Sequence, residues 1–181
     1  MNRGKNLTRR NFVKKTLYLA TGLVLADPLE SFAAIAKQPM SFYHTHTGEH
    51  FHVDYSYEGY SQKILKKMNN FLRDFRTGDV HPIDPELLDI LFHIRQKTGS
   101  RGVIEIISGY RSPKTNSSLR TKSKGVAKKS LHLKGMAIDI RLRDLKTKKL
   151  RDAAISLGRG GVGYYAKSDF VHIDTGRVRT W

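Results

Sequence analysis

The sequence contains no cysteine, so disulfide bonds and thiolate metal sites are both excluded. Any bound metal must therefore be held by histidine and carboxylate side chains, and a lipoprotein anchor, which needs a cysteine, is excluded as well. Acidic residues are also scarce, because 16 Asp and Glu stand against 33 Lys and Arg and give a formal net charge of +17. This balance is typical of proteins that contact nucleic acid, a membrane surface or another polyanion.

A hydrophobic run of transmembrane length is also missing. The apolar stretch at residues 17–26 is shorter than the roughly 20 residues that a membrane-spanning helix needs. It follows the twin-arginine pair Arg9-Arg10 and precedes the small-residue sequence Ala34-Ile-Ala36. This order predicts a twin-arginine signal peptide over residues 1–36, followed by one mature domain over residues 37–181. We therefore expect export of the folded protein to the periplasm or cell envelope.

The mature domain remains basic without this segment. The segment contains six basic and two acidic residues, so 27 basic and 14 acidic residues remain, with a net charge of +13. Outside the cytoplasm the nearby polyanions are the cell wall and the membrane surface, to which such a charge gives a weak, salt-sensitive attraction. We expect a monomer that has no nucleic-acid partner and touches the membrane only transiently through its export signal.

Two later stretches concentrate side chains that bind metals. His132 and Asp139 lie seven residues apart, and His172 follows thirty-three residues after Asp139. Two imidazoles and one carboxylate suit a borderline metal such as zinc. Three protein ligands leave a fourth position open for water, which is the arrangement of a catalytic zinc site. The alternative is that these are ordinary packed or solvated residues.

The sequence around these residues predicts how they meet. Residues 136–142 alternate apolar and other side chains, which predicts a strand with Asp139 on the face opposite the apolar set. Residues 170–174 form a second short strand that carries His172. If the two strands are adjacent, they present both side chains to one cleft, and His132 reaches it from the preceding turn.

Three motifs together resemble a known family. They are His132-x-Lys-Gly-x-Ala-x-Asp-Ile140, Gly160-Gly-Val-Gly-Tyr-Tyr165 and Asp169-Phe-Val-His-Ile-Asp-Thr-Gly176. They resemble the LAS metallopeptidases, a group of D-Ala-D-Ala carboxypeptidases, dipeptidases and murein endopeptidases, and above all its exported branch typified by murein endopeptidase K. The resemblance implies an α+β fold, in which a small, mainly antiparallel sheet carries the metal and the helices pack to one side.

The resemblance also implies a function. It implies Zn²⁺ on His132, Asp139 and His172, and zinc-dependent hydrolysis of peptidoglycan stem peptides. The expected bond is the cross-link from D-Ala to meso-diaminopimelate, cut by an endopeptidase. Two alternatives remain, namely a D,D- or L,D-carboxypeptidase that trims stem peptides and a non-catalytic, zinc-containing module that binds the wall.

Three further residues are candidates for catalytic roles. Arg111 follows a predicted strand at residues 103–107 in a glycine-containing turn, and by resemblance it stabilises the oxyanion; the alternative is a surface salt bridge. Asp169 occupies the position where many relatives have Glu, so it is a candidate general base, although it could simply form a turn. Asp174 is the alternative base, or it orients His172, with which it shares a strand face.

The remaining patterns predict scaffold elements. Residues 41–54 predict a hairpin whose four histidines form a polar face rather than a metal site. Residues 116–129 predict a solvated loop that could line the cleft and recognise acidic groups of the substrate. Apolar side chains at helical spacing predict amphipathic helices at residues 61–75, 84–99 and 145–158.

Overall fold

A computed structural model describes residues 39–56, 59–123 and 125–181 of the chain. The predicted signal peptide, residues 1–36, lies outside the described residues. Within the described ranges, no helix has the length and apolar character needed to cross a membrane.

The described residues form one seven-stranded sheet with the strand order β2-β1-β3-β4-β6-β5-β7. The strands are β1 (Pro39–His44), β2 (His50–Asp54), β3 (Ile104–Ser108), β4 (Ala137–Leu142), β5 (Gly161–Tyr165), β6 (Phe170–Asp174) and β7 (Arg179–Thr180). β1 pairs in parallel with β3, and β5 pairs in parallel with β7, whereas the other pairings are antiparallel.

Four α-helices and two short 3-10 helices accompany the sheet in the described part of the chain. They are α1 (Gln62–Phe71), α2 (Glu86–Thr98), α3 (Pro113–Lys122) and α4 (Thr147–Leu157), with 3-10 helices at Leu131–Lys134 and Ala166–Ser168. The α+β class is confirmed. The prediction of a small, mainly antiparallel sheet needs correction, because the sheet is seven-stranded and mixed. The helical crossover from β1 to β3 allows their parallel pairing, which a tight hairpin cannot provide.

The three helices predicted from periodicity are present, and α3 is an addition. It occupies much of the stretch predicted as a loop. Ser112 caps its first turn by accepting a hydrogen bond from Thr115 N at 3.3 Å, and Pro113 follows at the first helical position. α3 buries only Thr115 and Asn116, so it has no apolar stripe from which its periodicity could be recognised.

The hydrophobic core lies on one face of the sheet. β4 contributes Ile138, Ile140 and Leu142 to it, and α1, α2 and α4 supply the facing side chains, whereas α3 supplies none. Because successive strand residues point to opposite faces, the residues between these apolar positions lie on the other face. We call this other face, which carries Asp139 of β4 and His172 of β6, the polar face.

The connection from α4 to β5 is tightly built. Gly158 ends α4 in the left-handed conformation, and Gly160 has φ +78°. A Cβ atom on Gly160 would lie 1.7 Å from the carbonyl oxygen of Asp174, so no larger residue fits there. These glycines therefore permit a tight turn from helix to strand at the end of the polar face.

The four histidines of the β1–β2 hairpin do not gather in one place. His44 is fully buried, His46 stacks on Phe75 with ring centroids 4.1 Å apart, and His50 and His52 are exposed on β2. Within the described residues, the only group spaced to hold a metal lies elsewhere. The hairpin therefore belongs to the scaffold.

The buried position of His44 makes stability depend on pH. Burial is the main cause that lowers the pKa of His44 from 6.5 to about 4. As the pH falls, His44 is therefore protonated in the unfolded chain before it is protonated in the folded one. The contribution of neutral His44 to the free energy of unfolding is fully present above about pH 6.5. It falls by up to about 3 kcal/mol as the pH drops towards 4.

We expect the His44→Asn variant to show a flatter dependence of unfolding free energy on pH in this window. Urea denaturation followed across the window measures the slope. The matched variant His52→Asn, which changes an exposed histidine, should keep the wild-type slope. An unchanged slope in His44→Asn would contradict the assignment.

Candidate metal centre and cleft

Three side chains from separate parts of the chain meet on the polar face. His132, Asp139 and His172 are 1%, 3% and 8% exposed. The His132 Nε2 atom lies 3.2 Å from Asp139 Oδ1 and 3.2 Å from His172 Nδ1. The third distance, from His172 Nδ1 to Asp139 Oδ1, is 2.9 Å. Three potential ligand atoms thus form a nearly equilateral triangle.

Local structure explains why these residues meet. β4 and β6 pair antiparallel with Asp139 directly opposite His172, so both side chains rise from the same place on the polar face. The 3-10 helix Leu131–Lys134 brings in His132 and ends at Gly135, which has φ +66°. A Cβ atom on Gly135 would lie 2.1 Å from the carbonyl oxygen of Pro82, so only glycine fits this turn.

Hydrogen bonds fix which ring nitrogens carry protons. His132 Nδ1 lies 2.7 Å from the carbonyl oxygen of Gly109, which can only accept, so Nδ1 donates. His172 Nε2 lies 3.0 Å from Asp174 Oδ2 and donates to that carboxylate. In the neutral rings the two converging nitrogens therefore present lone pairs. Together with Asp139 Oδ1 they form three acceptors with no hydrogen between them, which is an arrangement that suits a cation.

The pKa shifts differ between the two histidines but keep the Asp139 carboxylate ionised. Burial lowers the pKa of His132, although Asp139 acts in the opposite direction. Burial also disfavours charge on His172, but hydrogen bonds to Asp139 and Asp174 outweigh it and raise the pKa of this ring. Burial alone would raise the pKa of Asp139, yet both histidines and Arg111 hold it well below its usual range. Asp139 is therefore ionised across the physiological pH range.

The triangle also has the size that zinc requires. Zinc binds imidazole nitrogen and carboxylate oxygen at about 2.0–2.2 Å in a tetrahedron, which places neighbouring ligand atoms about 3.3 Å apart. The observed separations of 2.9–3.2 Å need only a slight expansion to match. The donor set of two imidazoles and one carboxylate suits the same metal. The residues present therefore fit a zinc ion with one position left for a fourth ligand.

Arg111 lies beside the cluster. Its Nη2 donates to Asp139 Oδ2, and its Nε donates to Ser108 Oγ at 2.9 Å. Oδ1 of the same carboxylate faces the two histidines. Among the described residues Nη1 has no hydrogen-bond partner, and Arg111 lines the cleft. The guanidinium thus fixes one carboxylate oxygen and retains a donor for another group.

Asp174 is buried behind His172. Besides His172 Nε2, its carboxylate accepts hydrogen bonds from the backbone N–H groups of Gly161 and Gly176, and from both Nη atoms of Arg179. Burial would raise its pKa, but these bonds, led by His172 and Arg179, hold the pKa of Asp174 well below its usual range. Asp174 is therefore a permanent acceptor that orients the His172 ring.

The structure does not bring Asp169 to the cluster. Its side chain is 63% exposed, accepts a hydrogen bond from Thr147 Oγ1 at 2.8 Å and lies 3.8 Å from Arg141 Nη1. These contacts lie in a separate groove beyond the turn that precedes β6. Asp169 has φ +50°, a left-handed conformation that aspartate tolerates. The strand alternation that places His172 correctly does not extend to a residue in this conformation, so the sequence could not reveal where Asp169 points.

A cleft of about 490 Å³ opens over the cluster. Asp139 is the only acidic residue among the described residues that line it. Part of the stretch predicted as a cleft-lining loop does line it, namely Ser123, Gly125, Val126, Ala127 and Lys129. Four other lining residues, namely Tyr165, Phe170, Arg179 and Trp181, were not predicted as site residues. Phe170 lies two residues before His172, so strand alternation predicts that both side chains lie on the same face. Trp181 reaches the cleft because β7 pairs with β5, which is a long-range contact.

Comparison with known proteins identifies the family. The family described as "Peptidoglycan L,D-endopeptidase MepK" matches residues 33–181. The chain is 42% identical over 158 residues to the peptidoglycan L,D-endopeptidase MepK of Escherichia coli strain K12, with 85% of this chain and 87% of that protein covered. It is 45% identical over 144 residues to the probable peptidoglycan L,D-endopeptidase MepK of Haemophilus influenzae, with 78% and 77% covered.

The resemblance to LAS-type murein endopeptidases is thus confirmed at the level of the family. The family match extends over both strands that carry the cluster and over the cleft around it. The chain belongs to the peptidoglycan L,D-endopeptidase MepK family.

Proposed function

We propose that this chain is a zinc-dependent endopeptidase that hydrolyses peptide cross-links in peptidoglycan. The observation that carries the proposal is the triangle of three acceptor atoms beneath an open cleft. Membership of a family described as peptidoglycan endopeptidases supports the same reaction and substrate. Oδ1 of the buried, ionised Asp139 carboxylate faces two imidazole nitrogens, and a bound cation would be stabilised by all three atoms.

We assign a distinct task to each side chain of the site. His132, Asp139 and His172 would hold the metal, which when bound polarises a carbonyl group and lowers the pKa of a bound water. Asp174 and the Gly109 carbonyl keep the two imidazoles in the orientation and tautomer needed for ligation.

Arg111 combines two tasks in this proposal. It anchors the second oxygen of Asp139, and its remaining Nη1 donors are available to the oxygen of a substrate carbonyl in the cleft. A positioned cation of this kind stabilises the negative charge that develops in the transition state. This role agrees with the one expected from the sequence.

The relatives guide the proposal for the scissile bond. Their names describe L,D-endopeptidases, whereas the bond expected from the sequence, from D-Ala to meso-diaminopimelate, joins two D-centres. We therefore propose cleavage of an L,D cross-link, and treat the D-Ala cross-link and terminal trimming by a carboxypeptidase as distinct outcomes of the same assay. A wall-binding module without turnover is the remaining alternative, since the same fold and cleft could bind stem peptides only.

Export through the twin-arginine pathway also belongs to the proposal. The family match begins at residue 33, so residues 1–32 lie outside it, as a targeting segment would. Export would place the basic mature domain in the periplasm, next to peptidoglycan and other polyanions. Charge alone would give weak, salt-sensitive attraction to that matrix, while the cleft would select the bond.

We expect the protein to convert cross-linked muropeptide dimers to monomers when zinc is present and to lose this activity with a chelator. Separate incubations with L,D-linked and D,D-linked dimers, analysed by chromatography and mass spectrometry, measure which bond is cut. The proposal predicts cleavage of the L,D-linked dimer. Release of a terminal residue only would indicate a carboxypeptidase, and binding without any product from folded, zinc-loaded protein would indicate a wall-binding module.

For Asp169 we propose a role other than the general base expected by resemblance, since its side chain contacts Thr147 and not the cluster. We propose that it fixes the turn at residues 165–170, because its carboxylate joins this turn to Thr147 at the start of α4. The turn separates the cleft, which Ser168 and Phe170 line, from the groove that contains Asp169. Asp169 would then act on the shape of the cleft without touching the substrate.

We expect Asp169→Asn to lower kcat by less than about tenfold, because the amide oxygen can still accept from Thr147. Loss of a general base typically costs about 10²- to 10⁴-fold. Steady-state hydrolysis of muropeptide dimers measures the difference, with Asp152→Asn, an exposed aspartate of α4, as the matched control. A loss of about 100-fold or more in Asp169→Asn alone would restore the general-base role.

A further inference from the structure

Tyr165 lies on the same side of the sheet as the candidate metal ligands. β5 and β6 pair antiparallel, with Gly163 opposite His172 and Tyr165 opposite Phe170. Residues two apart on a strand share a face, so the Tyr165 side chain rises next to the cluster. It lines the cleft directly.

The hydrogen bonds of its hydroxyl leave one proton unused. The indole Nε1 of Trp181 lies 3.0 Å from Tyr165 Oη. An indole N–H can only donate, so the tyrosine oxygen is the acceptor and its own hydrogen remains available. Among the described residues no acceptor for that hydrogen is present. The hydroxyl is therefore a donor exposed to the cleft.

Both aromatic rings are held in place. The Tyr165 ring stacks on Phe170, with centroids 4.5 Å apart and an angle of 15° between the planes. Trp181 extends the edge of the sheet, because its backbone exchanges hydrogen bonds with Val162 O at 3.3 Å and Tyr164 N at 3.0 Å. The hydroxyl thus has little rotational freedom to lose when it binds a partner.

Gly163 allows the indole to approach the cluster. A Cβ atom on Gly163 would lie 2.6 Å from the Trp181 ring, so the absence of a side chain makes room for it. The Trp181 ring reaches within 5.2 Å of the His172 ring, measured between centroids. The hydroxyl that Trp181 orients is therefore anchored beside a candidate metal ligand.

We propose that Tyr165 is a further catalytic residue, whose hydroxyl donates a hydrogen bond to the oxygen of the scissile carbonyl as negative charge develops there. Trp181 is its positioning residue. The proposal rests on the proposed function, since it names a donor for that hydrolysis. A preorganised donor aimed at a developing oxyanion acts mainly on the transition state, so it should affect kcat more than KM.

The neighbouring residue provides a matched control. Tyr164 lies on the opposite face of β5, where the guanidinium of Arg151 covers its ring at 4.7 Å, and it does not line the cleft. Tyr165→Phe and Tyr164→Phe remove the same atom from adjacent residues. We expect a kcat about 10- to 100-fold lower in Tyr165→Phe with little change in KM, and wild-type kinetics in Tyr164→Phe.

The role of Trp181 is tested by a double-mutant cycle. Trp181→Phe removes the indole N–H while keeping an aromatic ring, so it should lower kcat less than Tyr165→Phe does. The double variant should have the same kcat as Tyr165→Phe alone, because the Trp181 N–H acts on kcat only by orienting the Tyr165 hydroxyl. Additive losses would show that Trp181 acts independently and would overturn its positioning role.

A readout independent of turnover completes the test. Trp181 is the only tryptophan of the chain, so its fluorescence reports on the cleft. Titration of zinc-free protein with a muropeptide dimer should shift its emission, with a Kd in Tyr165→Phe within about twofold of wild type. Equal kcat in Tyr165→Phe and wild type would overturn the proposal for Tyr165. Absence of hydrolysis by wild type itself would instead contradict the proposed function.

Discussion

The antiparallel pairing of β4 with β6 is the constraint on which the site depends. It places Asp139 opposite His172 on the polar face, while the alternating residues Ile138 and Ile173 enter the core on the other face. A slip of one residue would turn the apolar side chains of a strand towards the cleft and its ligand into the core. The hydrophobic pattern that stabilises the fold therefore also fixes the geometry of the cluster.

A second requirement is that buried polar atoms on this face have partners. Gly109 and Asp174 accept the outer ring hydrogens of the two histidines, and Arg111 binds the outer oxygen of Asp139. Each of these three side chains is thus oriented from behind, and in the neutral rings the lone pairs point inward. On the wall of the cleft, the Tyr165 hydroxyl accepts a hydrogen bond from Trp181 and keeps its own hydrogen free. The inward lone pairs suit a cation, and the free hydroxyl hydrogen suits a carbonyl oxygen.

Part of this arrangement follows from local patterns in the sequence. Alternation in β4 and β6 predicts which strand face carries Asp139 and His172. Apolar residues at helical spacing predict α1, α2 and α4. Other features depend on long-range structure or on single backbone angles. The parallel pairing of β1 with β3 is set by tertiary packing. The helix α3 begins at a capping serine and has no apolar stripe. Asp169, just before β6, has a left-handed backbone, so the alternation of that strand does not predict where its side chain points. Trp181 reaches the cleft only because β7 pairs with β5, a contact that no local pattern reveals.

X-ray absorption spectroscopy at the zinc edge, on the protein loaded with an equimolar amount of zinc, measures whether His132, Asp139 and His172 bind the metal. We expect a four-coordinate ion with two imidazole nitrogens and two oxygens at about 2.0–2.2 Å, the oxygens coming from Asp139 and a water. Replacement of His172 by Gln should remove one imidazole from this signal. A shell of three or four imidazoles, or one unchanged by that substitution, would place the metal elsewhere and contradict the account.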